Sequence, residues 1–247
     1  MSSSGSVFAG QVVVVMGGSS GIGEAAAAAF AADGAEVVVT GRSRERLDQA
    51  VTRIGGASRG HCVDATDQAG LDAFFATVGT VDHLVVAVSG AVGGGPFADL
   101  DLTDLAAGFD AKFWAQVRVV QTALPHLRKD GSVTLITAAS ARAAFPGTAG
   151  LAAINGALEA MVPPLAVELA PLRINAVSPG VVDTAWWDRV PAEQRRALFD
   201  GLAATTPVGR VGRPEDLASA IHLMAANTFI TGVVLDCTGG ANLATGR

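Results

Sequence analysis

Three glycines, Gly17, Gly21 and Gly23, stand at G-x-x-x-G-x-G spacing in MGGSSGIGEAAAAAF. They follow the apolar run QVVVVM and open an alanine-rich stretch. Glycines at such places let a strand turn sharply into a helix. They also let backbone N–H groups approach a pyrophosphate, whose charge then faces the helix N-terminus. Ser19 and Ser20 add hydroxyl donors, and Ile22 lies between the last two glycines. The next apolar run ends in EVVVTGRSRERL, with Gly41 and then Arg42 at its tip instead of a carboxylate. A guanidinium suits a phosphate that a carboxylate would repel. Together the two motifs predict a dinucleotide with a 2′-phosphate, NADP(H). The blander alternative is a tight turn followed by a solvated arginine.

Few other residues offer chemistry by their spacing. His61, His83, His126 and His222 share no metal-ligand pattern, so no metal site is expected. Trp186 and Trp187 suggest an apolar or aromatic substrate, while Trp114 reads as core. Ser140 and Arg142 could hydrogen-bond a substrate oxygen or simply cap a loop.

The elements that must position these residues alternate along the chain. Strands are expected at 11–16, 36–40, 60–63, 83–88, 132–137, 173–177 and 232–236. Helices are expected near 22–32, 44–53, 67–77, 102–128, 150–170 and 213–226. Val-rich runs without polar alternation suit a parallel sheet buried on both faces. The pattern predicts an α/β fold with one doubly wound, Rossmann-type sheet of about seven parallel strands. Residues 1–6 read as a flexible tail and 7–247 as one domain. Within it, 185–211 is too long for an ordinary connection and reads as a substrate lid. Pro163 and Pro164 should kink the helix they interrupt.

Composition sets the outer bounds. Half of the 247 residues are hydrophobic, enough for a well-buried core. The formal net charge is −6 and no Lys/Arg block stands out, which argues against nucleic acid or an anionic membrane as partner. The run VVVVM is too short to span a bilayer. Cys62 and Cys237 read as buried free thiols rather than a disulfide. A cytoplasmic location is expected.

With these pieces in order, the chain resembles the short-chain dehydrogenase/reductase family. The resemblance rests on the glycine turn, HCVDATD at 61–67, VAVSG ending at Gly90, PGTAG at 146–150, RINAVSPGVVDT at 173–184 and DCTGG near the end. It implies that Gly17, Ser19, Ser20, Gly21, Ile22 and Gly23 wrap the cofactor phosphates and that Asp64 meets the adenine amino group. Ser89 and Gly90 would lie by the adenine ribose. Pro179, Gly180, Val182 and Thr184 would hold the nicotinamide end. It also implies a homodimer or homotetramer.

The family's chemistry uses a Tyr-x-x-x-Lys pair, an upstream Ser and an Asn on the preceding helix. At the matching positions this chain has Leu151, Asn155, Ala138 and Lys112, and it contains no tyrosine. A leucine cannot give or take a proton. Family Asn and Lys exchange places here, since Lys112 stands on the first helix and Asn155 on the second. An ammonium could therefore reach the cleft from the opposite wall, unless Lys112 only fills space or pairs with Asp110 or a lid carboxylate. Lys112, Ser140 and Asn155 are the catalytic candidates. The expected activity is a non-standard oxidoreductase acting on a small apolar carbonyl, imine or enone. The alternatives are a cofactor-binding protein without redox chemistry and an inactive partner subunit.

Overall fold

The computed structural model describes residues 6–90 and 92–243, so most of the expected tail lies outside the described residues. Seven parallel strands form one sheet in the order β3-β2-β1-β4-β5-β6-β7. They are β1 (Val12–Met16), β2 (Glu36–Gly41), β3 (Ala57–Cys62), β4 (Val81–Val86), β5 (Leu127–Ile136), β6 (Arg173–Pro179) and β7 (Val234–Cys237). The helices are α1 (Gly21–Ala32), α2 (Arg44–Ile54), α3 (Gln68–Val78), α4 (Leu102–Gly108), α5 (Ala115–Ala123), α6 (Ala149–Glu168), α7 (Ala192–Thr205) and α8 (Pro214–Ala226).

The central strands are apolar on both faces because both faces are covered. Val13 and Val15 point into a core with Phe8, Phe30, Leu47 and Ile221. Val14 and Met16 point the other way, to Leu71, Phe75, Val119 and Ile174. Each such side chain, fully buried, contributes roughly 1.5–3 kcal/mol. Strand order reverses between β1 and β4, which opens a crevice at the carboxyl ends of the strands.

One expectation about elements is corrected. The helix expected over 102–128 is broken into parts. Between α4 and α5 lies a π-helical segment, Phe109–Trp114. After α5 comes a 3-10 turn, Leu124–His126, and β5 already begins at Leu127. Pro163 and Pro164 do not interrupt α6, which stays helical through both. They sit on its exposed side, where the carbonyls left without donors, those of Glu159 and Ala160, are one turn back. The stretch 185–211 holds a 3-10 turn, Ala185–Arg189, and the 14-residue α7.

Side-chain placements also differ. Trp114 is 51% exposed and no part of the core. Both cysteines are free, but Cys62 is exposed and Cys237 only half-buried. α6 is long and apolar enough to cross a bilayer, yet it packs Ile154, Leu158, Val162 and Ala166 inward.

Candidate active site

A cleft of about 1170 Å³ opens at the carboxyl ends of the strands. It begins at the turn from β1 into α1. Gly17 has φ +84°, a conformation suited to glycine, and a Cβ there would meet the Ala87 carbonyl oxygen at 2.9 Å. At Gly23 a Cβ would lie 2.2 Å from the Gly17 oxygen. The turn is held from β2, where Thr40 Oγ1 accepts from the Gly17 N–H at 3.3 Å and the Thr40 carbonyl from Gly18 N–H at 3.0 Å. A groove that only glycine backbone can line, ending at a helix N-terminus, fits a pyrophosphate.

Arg42 lies exposed at the cleft edge, with Ser43 and Arg46 beside it. Ser43 caps α2 by accepting from Arg46 N–H at 3.3 Å. Asp64 Oδ1 accepts from the Thr66 N–H at 2.9 Å and its hydroxyl at 2.7 Å. These bonds, the backbone one first, hold the Asp64 carboxyl below the usual range, against a smaller opposing effect of burial. Both fall on one oxygen. Ser89 and Gly90 follow β4 along the cleft, and Pro179, Gly180, Val182 and Thr184 line its far side.

The inner end is built by the π segment, β5 and α6. Gln116 of α5 clamps the two strand ends, donating to the carbonyls of Val88 at 3.1 Å and Ile136 at 3.0 Å. The π segment places Lys112 inward, 8% exposed, with Nζ donating to the Thr137 carbonyl at 3.0 Å. Wide π turns recur at functional sites. Burial pulls the Lys112 ammonium down to about 8, with Glu159 acting against it. Asp110 is not its partner.

Across from Lys112, Asn155 is 3% exposed. Its Nδ2 donates to the Leu151 carbonyl at 2.9 Å and to Ser140 Oγ at 3.2 Å. The carbonyl can only accept, which fixes the orientation of the amide. Asn155 Oδ1 is then a buried acceptor without a donor. Ala138 and Leu151 line the same space and carry no polar side-chain atom. Every cofactor and catalytic candidate thus borders one cleft, whereas Arg142 does not.

Arg142 is engaged rather than free for substrate. It meets Glu159 Oε2 at 3.0 Å and Asp236 Oδ1 at 2.5 Å. Sequence reasoning missed Glu159. Its one signal is a spacing of four after Asn155, which puts both on one helix face. Over the mouth, Trp186 Nε1 donates to the Gly90 carbonyl at 3.3 Å and Trp187 Nε1 to the Val182 carbonyl at 3.0 Å. The Arg189 guanidinium lies 3.5 Å over the Trp186 ring. Phe145, Leu198 and Leu202 complete an apolar wall.

A family model described as enoyl-(acyl carrier protein) reductase matches residues 16–242. The L-fucose dehydrogenase of Rattus norvegicus is 33% identical, covering 97% of this chain and 92% of that protein. The chain belongs to the short-chain dehydrogenase/reductase family. Another family relative, a probable 2,4-dienoyl-CoA reductase of Caenorhabditis elegans, is 30% identical over 94% of this chain and 81% of its own. A solved small-chain dehydrogenase in complex with NADPH superposes with TM-score 0.80. It is 32% identical, covering 94% of this chain and 99% of that one.

Proposed function

We propose that this chain is an NADP(H)-dependent oxidoreductase with an atypical active site, acting on a small apolar carbonyl, imine or enone. The observation that carries the reading is one continuous cleft, from a glycine-lined phosphate groove edged by Arg42 to a buried ammonium at Lys112. The glycine turn would hold the pyrophosphate and Arg42 the 2′-phosphate. Asp64 keeps its second oxygen for the adenine amino group. Asn155 Oδ1, a buried acceptor in need of a donor, suits a ribose hydroxyl. When bound, the nicotinamide supplies or takes up a hydride.

This chain's residues do the rest. Leu151, Ile154, Phe145 and the two tryptophans exclude water from an apolar substrate. Reduction leaves charge on an oxygen, nitrogen or carbon that must take up a proton. Leu151 and Ala138 have none to give, and Lys112 is the titratable side chain at the inner end of the cleft, beside them. Its ammonium, pulled toward neutral pH by burial, is suited to donate. Residues 185–211 act as a lid. Its base is pinned by the bridge between Val182 and Gly212, and α7 has no buried residue to tie it down.

Leu151 favours a second reading, a protein that binds the cofactor without redox chemistry or serves as an inactive partner subunit. Deuterium transfer from 4-deuterated NADPH to a product separates the two. Label in the product supports the enzyme, and NADPH binding with no transfer to any carbonyl, imine or enone tried supports the other. Within the enzyme reading, Lys112→Met should lose at least about 100-fold in kcat, the lower range for a lost general acid. Full turnover in that variant removes Lys112 from the chemistry.

A further inference from the structure

α6 carries two acids. Glu168 lies exposed in its last turn, whereas the Glu159 side chain is turned inward and only 10% exposed. A buried carboxylate is costly unless it is partnered. Glu159 Oε1 accepts from Thr137 Oγ1 at 2.9 Å and Oε2 meets Arg142 Nε at 3.0 Å. Lys112 Nζ donates to the carbonyl of the same threonine at 3.0 Å. One residue thus carries the ammonium on its backbone and the carboxylate on its side chain.

The charges around this threonine come from four elements. Lys112 lies on the π segment, whose one acid, Asp110, is exposed. Glu159 comes from α6 and Arg142 from the end of the 3-10 turn Ala139–Ala141. Asp236 comes from β7, where its other oxygen accepts from Asn242 Nδ2 at 3.1 Å. Arg142 with Asp236 alone is already neutral. Adding Glu159 leaves one surplus negative charge, and a protonated Lys112 is what balances it.

We propose that Glu159 is a positioning residue for Lys112: anchored by Thr137 and Arg142, its carboxylate keeps the ammonium charged and in place at the inner end of the cleft. The inference rests on the reading of Lys112 as proton donor. Arg142 and Asp236 act at one remove, by fixing where the carboxylate sits.

The chain has two lysines, Lys112 and Lys129, and Lys129 is exposed. Protein grown on ε-13C lysine therefore gives two ε-carbon signals, and NMR can follow each through a pH titration without cofactor. In Glu159→Gln the Lys112 midpoint should fall by about one pKa unit or more, the usual effect of losing a near opposite charge. Glu159→Asp should restore part of it, and Lys129 should stay put. The basic limb of kcat should move with the Lys112 midpoint. An unmoved midpoint in folded Glu159→Gln overturns the inference. If that variant does not fold, Arg142→Gln replaces it. Freeing Glu159 from its guanidinium should raise the midpoint, and no change again overturns the inference. The two ideas fail separately. A midpoint that moves while Lys112→Met keeps full turnover overturns the proton-donor reading, and an unmoved midpoint with a crippled Lys112→Met overturns only the role of Glu159.

Discussion

Two single residues carry the cofactor assignment, and each has its own test. Charge-assisted bonds contribute about 1.5–3 kcal/mol, or roughly 10–100-fold in affinity. Arg42→Ala should therefore weaken NADPH by about that factor in a fluorescence titration and leave NADH nearly unchanged. Equal loss for both cofactors would mean that Arg42 does not read the 2′-phosphate. Gly23→Ala should abolish binding of both, because its Cβ would sit 2.2 Å from the Gly17 oxygen. Lys112 has a consequence for stability as well. Its folded value of about 8 lies below the ordinary 10.5. Between those pH values the unfolded chain holds more protons, so the native state gains stability as pH rises through the window, and below pH 8 the penalty is fully present. The parent should thus gain stability between pH 8 and pH 10.5, and Lys112→Met should lack that rise. Thermal unfolding at the two pH values checks this.

At the scale of elements, the junction of β4 with its neighbours holds a buried histidine. His83 shares hydrogen bonds of 2.8 Å with Ser132 Oγ on β5 and 2.8 Å with Gln11 Oε1 just before β1. Burial, helped by the Arg173 charge, pulls it to about 4 from 6.5. The fold keeps it neutral, so stability is lost as pH falls from 6.5 to 4. The loss should approach about 3 kcal/mol at 1.36 kcal/mol per unit. Urea unfolding across that window should show the fall, and His83→Gln should flatten it. The strands themselves were legible in the sequence, because a sheet buried on both faces writes continuous valine runs. The phosphate turn was legible for a related reason, since its glycines answer a local backbone demand. The π segment was not. Hydropathy carries a helical period but says nothing of one turn widened to bring Lys112 inward. Trp114 read as core from its type alone, yet its place at the end of that segment leaves it half in water. Glu159 stayed hidden because Thr137 and Arg142, which explain it, approach α6 only in the folded chain.

For the whole molecule, the exposed face of α6 bears on assembly. We propose that copies meet along the exposed row of α6 formed by Ala153, Ala160, Pro164 and Val167, small and apolar residues spaced to share one face. Sedimentation should then give a dimer or tetramer, and Val167→Glu, changing a residue 81% exposed, should shift it toward monomer. An unchanged mass would place the contact elsewhere. The scarcity of lysine reaches beyond the site. Lys129 stands near the start of β5, at the end of the sheet away from the cleft, while Lys112 is shut inside. Apart from the chain's α-amino group, an amine-reactive bead or sensor chip has only Lys129 to grip, so protein immobilised through it is held by its back with the cleft facing the flowing solution.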